Sequence, residues 1–365
     1  MSHVPTAFFV SEPLDHTLGE LGNRCYHNAD GHYIESALAK TGLRKKPRDY
    51  YSTLKPAIGS RQDSFIMTVA YRPARAEEIE RAEELVVRSI NDLTERHGFG
   101  SMASLRPPQF QLFSLNDDPD GLWVAEDAGQ MLGFAFSWVC GDLWFLAELF
   151  VSPGNQGRGI GNELLKRTLQ HAQKAGAATK ALITFTFNTV SQALYIRHGL
   201  LPRFPIYFFK IEREALMPRL QSCGLRCVAL QNTASHLRIL AQIDAQALAL
   251  SREKHHRFLI NNDAVKGVAL YSRDDCKGYV YVSSDGHIGP LAVTQPNAMD
   301  AAFRTALNLA LESGSPQVSA FITGTSEAPR IALEHGMRIT IPMVLMATSD
   351  FGNWRQYLPR NPGFM

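Results

Sequence analysis

Two hydrophobic periods meet in residues 143–176, and the rest of the chain is arranged around that junction. From Trp144 to Val151 nearly every position is apolar, with Trp144, Leu146 and Phe150 on one face and Phe145, Ala147, Leu149 and Val151 on the other. A run with two apolar faces predicts a central strand covered on both sides. Glu148 is its single charge. Pro153 stops the strand, and Gln156-Gly157-Arg158-Gly159-Ile160-Gly161 turns the chain. The period then changes to that of a helix, with Ile160, Leu164, Leu165, Thr168, Ala172 and Ala175 forming its inward stripe and Gly176 ending it.

The same rules predict the flanking elements. Met67–Pro73 is a strand and Ala76–Arg96 an amphipathic helix with Ile79, Ala82, Leu85, Val86, Ile90 and Leu93 inward. Residues 97–120 are loop-rich. Residues 121–126 and 131–139 form a hairpin through Asp127-Ala128-Gly129-Gln130. After the central unit come a strand at 181–187, a short helix at 189–198 closed by Gly199, and an aromatic strand at 204–211. This order is an α/β pattern.

A worn second copy follows. It has strands at 225–230, 278–282, 287–293 and 318–322 and helices at 235–250, 297–311 and 327–335. Ile196-Arg197-His198-Gly199-Leu200 matches Leu333-Glu334-His335-Gly336-Met337, and Leu149-Phe150-Val151 matches Leu291-Ala292-Val293. An internal repeat of a whole α/β unit is the economical reading. The expected organisation is a poorly ordered extension at 1–66, a first domain at 67–215, a degenerate second domain at 221–349 and a tail at 350–365, packed on the body or extended. Residues 1–66 are rich in Pro, Gly, His and Tyr, and Met67 is expected to be the true start of translation.

Composition narrows the class. The chain has 365 residues, 45% hydrophobic and 20% charged, with a formal net charge of +2. This is ordinary for a water-soluble globular protein and favours neither nucleic acid nor a membrane surface as partner. Five Cys without a CxxC pair read as ordinary thiols, with no metal site. No apolar run is long enough to span a bilayer and the N-terminus lacks a signal-peptide pattern, so a cytoplasmic location is the default.

The chemistry concentrates at the strand–turn–helix unit. Glycines at such a turn let backbone N–H groups approach an anion at the positive end of the helix. A lone carboxylate in an apolar strand should have a raised pKa and be basic enough to matter. The order strand, Gln156-x-x-Gly159-x-Gly161, helix resembles the acyl-CoA signature of the GNAT superfamily of N-acetyltransferases. Asn188-x-x-x-x-Ala193-Leu194-Tyr195-x-x-x-Gly199 resembles a second family segment, with Leu200 in place of the usual Phe. The implied fold is two tandem GNAT-like domains, each a mixed, mostly antiparallel sheet flanked by helices.

The resemblance implies direct transfer of an acetyl group from acetyl-CoA to a primary amine, in a ternary complex and without a metal. Glu148 would take the amine proton; a Glu paired with a buried Arg, or exposed where the sheet splits, is the alternative. The backbone N–H of Phe150 or Val151 would hold the oxyanion. Tyr195 would protonate the departing thiolate, or else simply pack in the core. Asn188 would position the pantetheine arm. Gly157, Gly159, Ile160 and Gly161, with the side chains of Gln156 and Arg158, would hold the pyrophosphate. His171 is expected on a polar helix face, His198 at a helix end, and Arg252-Glu253-Lys254-His255-His256 on a solvated face. In the second copy Pro290 stands at the position of Glu148 and Ala332 at that of Tyr195, and Thr294-Gln295-Pro296-Asn297 replaces the glycine turn. That copy is therefore expected not to bind acetyl-CoA. The acceptor is a small amine or a peptide, and the protein a monomer or homodimer. A non-catalytic acyl-CoA sensor or scaffold is the competing class.

Overall fold

A computed structural model describes residues 68–220 and 224–365. The expected extension at 1–66 and the start at Met67 lie outside the described residues.

The first copy opens with β1 (Ala70–Pro73) and helix α1 (Ile79–Arg96), whose first turn is a short 3-10 segment. Then come α2 (Gln109–Asp117), β2 (Leu122–Asp127), β3 (Gln130–Cys140), β4 (Leu143–Val151) and α3 (Ile160–Lys174). β5 (Thr179–Phe185), α4 (Thr189–Arg197), β6 (Leu201–Glu212) and the one-turn α5 (Arg213–Leu216) complete it. The second copy has β7 (Arg226–Ala229), α6 (Ala234–Leu248), α7 (Glu253–Ile260), β8 (Val265–Ser272), β9 (Asp275–Ser283) and β10 (His287–Val293). It ends with α8 (Met299–Glu312), β11 (Gln317–Thr323), α9 (Ala328–Glu334), β12 (Arg338–Ala347) and the short β13 (Tyr357–Leu358).

All the described strands join one sheet in the order β1-β2-β3-β4-β5-β12-β6-β11-β10-β9-β8-β7, with β13 attached to β10. Among them only β4–β5 and β10–β11 run parallel. The copies exchange their last strands. β12 of the second copy lies between β5 and β6, and β6 of the first lies between β12 and β11. The apolar faces of β4 and β10 are covered on both sides, which is why both strands read as continuous hydrophobic runs.

Several expectations are corrected. α2 forms inside the segment read as loop, where Phe110 and Phe113 pack against Phe258 at ring distances of 5.5 and 5.0 Å. β8 and β12 were not anticipated. Of the two arrangements left open for the tail, the packed one is found: Trp354, Tyr357, Phe364 and Met365 are all buried. His171 is buried rather than on a polar face, because its two ring nitrogens meet Ser137 at 3.0 Å and Asp118 at 2.9 Å.

Three residues of the Arg252–His256 run are also not solvated, while Glu253 is exposed. Arg252, His255 and His256 are each 1% exposed. Asp244, from the preceding helix, accepts from Arg252 Nε at 3.1 Å, from His256 Nε2 at 2.9 Å and from the Tyr279 hydroxyl at 2.5 Å. Burial alone would raise the Asp244 pKa, but the Arg252 charge and the His256 contact hold it below the usual carboxylate range. Because the folded value is depressed, this group adds stability above the ordinary carboxylate pKa, and that stability is lost as pH falls through it. Asp244→Asn would leave Arg252 charged and buried without its counter-ion. The expected cost is about 3–5 kcal/mol in urea unfolding at neutral pH. The penalty should shrink as pH falls below ~4, where the unfolded-state carboxyl takes up its proton. A neutral substitution would remove this pair from the account of stability.

Candidate active site

The site begins with one extra residue. β3 and β4 pair as Phe136↔Glu148 and then Ser137↔Leu146, so Ala147 is a bulge. β4 and β5 pair only from Leu143 to Leu146. Beyond the bulge β4 leaves β5, and one edge of Ala147–Val151 has no strand partner on that side.

The direction of the free N–H groups follows from alternation along the strand. Ser152 N donates to Leu132 O at 2.9 Å, and the Phe150 carbonyl lies against Gly133. Ser152 and Phe150 therefore turn their polar groups to β3. Val151 and Leu149 turn theirs to the open side. Of the two N–H groups expected to hold the oxyanion, that of Phe150 faces the ladder and that of Val151 the open side, with the Leu149 N–H beside it. The bulge that sets this alternation leaves no mark in an apolar run.

A cavity of about 440 Å³ occupies the split. Its walls include Leu146–Phe150 of β4, Leu182–Phe185 of β5, and Asn188, Ser191 and Tyr195 at α4. Glu83, Val86 and Ile90 of α1, Gln111 of α2, and Asn361, Pro362 and Gly363 of the tail close it. Glu148 and Tyr195, distant in sequence, thus open on one cavity. The Glu148 residue is half-buried, yet its Oε2 is inaccessible and has no hydrogen-bond partner; Oε1 accepts from Gln111 Nε2 at 2.9 Å. Burial, and then the nearby Glu83 charge, push its pKa up to about 8, against the lowering effect of the Gln111 bond. Burial likewise raises the Tyr195 phenol, so it stays protonated and able to donate at neutral pH. Asn188 caps α4, its side chain accepting from Ser191 N at 3.2 Å, while also lining the cavity.

The glycine turn lies at the other end of the open edge. Gly157 and Gly159 have φ of +77° and +82°, a region that favours glycine. Gly159 is the N-cap of α3, and the N–H groups of Ile160 and Gly161 in the first turn have no intrahelical acceptor. A phosphate fits that donor set. The side chains are committed elsewhere: Gln156 Nε2 donates to Val151 O at 3.2 Å, and Arg158 to Asn155 Oδ1 at 3.0 Å. The Gln156 amide thus fixes the turn against β4. His198 meets Asn162 Oδ1 at 2.9 Å, outside the cavity.

The second copy repeats the bulge, between Ile288 and Leu291, but not the opening. β10 and β11 pair only at His287 and Ile288, and β13 then takes the vacated edge, pairing with Leu291 and Ala292. Val293 N donates to Gln356 O at 2.9 Å, and Gln356 Nε2 returns a bond of 2.9 Å to Val293 O. The chain's own tail fills the place that is a cavity in the first copy. It then continues to the first copy's cavity, where Trp138 Nε1 donates to Gly363 O at 3.0 Å and Phe364 stacks on Phe110 at 4.1 Å.

Fold and site together define a tandem of GNAT folds. Residues 87–200 match the family model described as "Acetyltransferase (GNAT) family". The chain carries a GNAT-family acetyltransferase domain over these residues. A candidate acetyltransferase of Pyrococcus horikoshii superposes with a TM-score of 0.65 at 16% identity, covering 85% of this chain and 100% of the other. A GCN5-related N-acetyltransferase of Sphaerobacter thermophilus gives 0.57 at 16% identity, over 76% and 95% of the two chains. A tandem GNAT protein from the clavulanic acid biosynthesis pathway gives 0.53 at 15%, over 77% and 98%. At these identities the likeness is one of fold. An uncharacterised N-acetyltransferase of Archaeoglobus fulgidus is 37% identical over 68 residues, which span 16% of this chain and 44% of that relative. Among the described residues no group of three or more His, Cys, Asp or Glu is placed to hold a metal ion, and no helix is long and apolar enough to cross a membrane.

Among the described residues Gln111 supplies the only hydrogen bond that the Glu148 carboxyl receives, and that bond favours the ionised form. Gln111→Leu should therefore move the Glu148 pKa further up from about 8, as read by carboxyl carbon-13 NMR across a pH titration. A downward shift would mean that Gln111 does not act on this group.

Proposed function

We propose that the protein transfers an acetyl group from acetyl-CoA to a primary amine, by direct attack of the amine on the thioester within a ternary complex. The observation that carries this reading is that Glu148, whose carboxyl keeps one oxygen without a partner, and Tyr195 line one and the same cavity. The amine and the leaving sulfur need opposite proton transfers, and one basic and one acidic group stand on two walls of the split to make them.

In this mechanism the first-turn N–H groups of α3, with Gly157 and Gly159, hold the pyrophosphate, and the free edge of β4 aligns the pantetheine arm. Glu148 accepts a proton from the amine as its nitrogen attacks the thioester carbonyl. The Val151 or Leu149 N–H donates to the oxygen that becomes negative. As the C–S bond breaks, Tyr195 gives its proton to the sulfur and is later reprotonated from solvent. The acceptor is assigned to the part of the cavity beside Glu148, the end away from the glycine turn. The second copy we read as a scaffold, its corresponding edge paired with β13.

Calorimetric titration with acetyl-CoA should give one site per chain, and Gly159→Glu with Gly161→Glu should abolish it. Two sites would overturn the reading of the second copy, and no binding would overturn the enzyme reading. Tyr195→Phe should lower kcat by ten-fold or more while leaving acetyl-CoA affinity within about two-fold. An unchanged kcat would remove Tyr195 from the chemistry. Because Glu148 must be ionised to act, kcat/KM should rise with pH and level off above about 8.

A further inference from the structure

The acceptor end of the cavity holds a second carboxylate that the mechanism above does not use. Glu83 sits on α1, half-buried, across the cavity from β4. Gln111 Nε2 lies 3.2 Å from Glu83 Oε2 and 2.9 Å from Glu148 Oε1, so one amide nitrogen spans both side chains. Two carboxylates that share one neutral donor are not neutralised by it. The cation nearest to Glu83 is Arg106, which is 70% exposed and paired with Asp285 at 2.9 Å. Glu148 Oε2, inaccessible and without a partner, is still unsatisfied. Val86, Ile90 and Phe150 give the cavity an apolar wall, and the rest of its polar lining is mostly uncharged. A carboxylate beside a carboxyl whose pKa is pushed up to about 8, in such a cleft, is completed by a cation with an apolar substituent.

We propose that Glu83 and Glu148, bridged by Gln111, form the acceptor-binding site, and that the acceptor class is a protonated primary alkylamine. This deepens the acetyltransferase reading and rests on it. Glu83 is the positioning carboxylate and stays ionised against the ammonium. Glu148 receives one of the ammonium protons, so that R–NH3+ and the Glu148 carboxylate become R–NH2 and the carboxylic acid. The freed lone pair then forms the N–C bond as the C–S bond breaks.

The test uses the full chain, with n-hexylamine, cationic at pH 8, and aniline, neutral at that pH. Calorimetry in the presence of CoA should show binding of hexylammonium to the wild type, binding at least ten-fold weaker to Glu83→Gln, and partial recovery in Glu83→Asp. Acetyl-CoA affinity should be the same in all three, which shows that the variants are folded. In turnover, Glu83→Gln should raise KM for hexylamine ten-fold or more with kcat within three-fold, and should narrow the preference for hexylamine over aniline. Its ascending pH limb should also move down, because the Glu83 charge no longer opposes ionisation of Glu148, leaving Tyr195 and Arg106 as the other titratable groups on the cavity wall and Gln111 as its hydrogen-bond donor. Absence of hexylammonium binding to the wild type, or equal binding to wild type and Glu83→Gln, overturns the proposal. Binding with the expected charge dependence but without acetyl transfer upholds the cation site and sinks the acetyltransferase reading instead.

Discussion

The bulge at Ala147 is the constraint on which the rest depends. A strand that kept its register would pair with β5 along its whole length and leave no cavity. One extra residue bends β4 away after Leu146, and the backbone groups beyond it must find other partners, because unpaired buried N–H and C=O groups are costly. The two copies meet that requirement differently. In the second, β13 pairs with the exposed edge of β10. In the first, the corresponding edge of β4 borders the cavity, where an amide-bearing ligand can serve. The same backbone device therefore gives a closed, self-paired edge in one copy and an edge open on a cavity in the other.

The copies cannot be treated as beads on a string. β12 belongs to the second copy by sequence but lies beside β5, so the floor of the first copy's cavity includes Met343. The tail makes the same crossing, from the edge of β10 to Gly363 beside Ala147. The Asp244–Arg252–His256 cluster anchors this path from the inside, with Arg252 also donating to the Met365 carbonyl and lying over the Tyr357 ring at 4.9 Å. An unpaired charge there would disturb the tail, and through it the wall of a cavity in the other copy.

The sequence made the strand, turn and α3 legible because each has one period and a clear stop. The positions of Glu148 and Tyr195 were legible too, the first as a lone charge and the second through a motif. What the sequence hid was pairing at long range. The Arg252–His256 run looks solvated until Asp244, Tyr279 and Tyr281 are brought to it. β12 is interrupted by Pro342 and follows a helix like an ordinary terminal strand, so nothing in it announces an exchange. Glu83 stands beside Glu84 and one turn past Glu80, which reads as a charged outer face. The faint signal was its place one turn before Val86 and Val87 and two before Ile90, at the margin of the apolar stripe.

A carboxyl in the position of Glu148 also sets an energetic tension that a ligand can relieve. Its folded pKa lies above its unfolded value, so the folded state holds this proton more tightly, and that contribution is present below the usual carboxylate range and is lost as pH rises toward about 8. At neutral pH most of the free protein therefore keeps Glu148 neutral, and the base exists as a minority form. A cation entering the cleft stabilises that form by Coulomb attraction in a poorly solvated place, where such attraction is strong. Binding and ionisation are then linked: an acceptor that arrives charged would bring the base into being, whereas a neutral one would leave it protonated. On the proposed reading, the cost of burying Glu148 would be part of how the cleft distinguishes an acceptor.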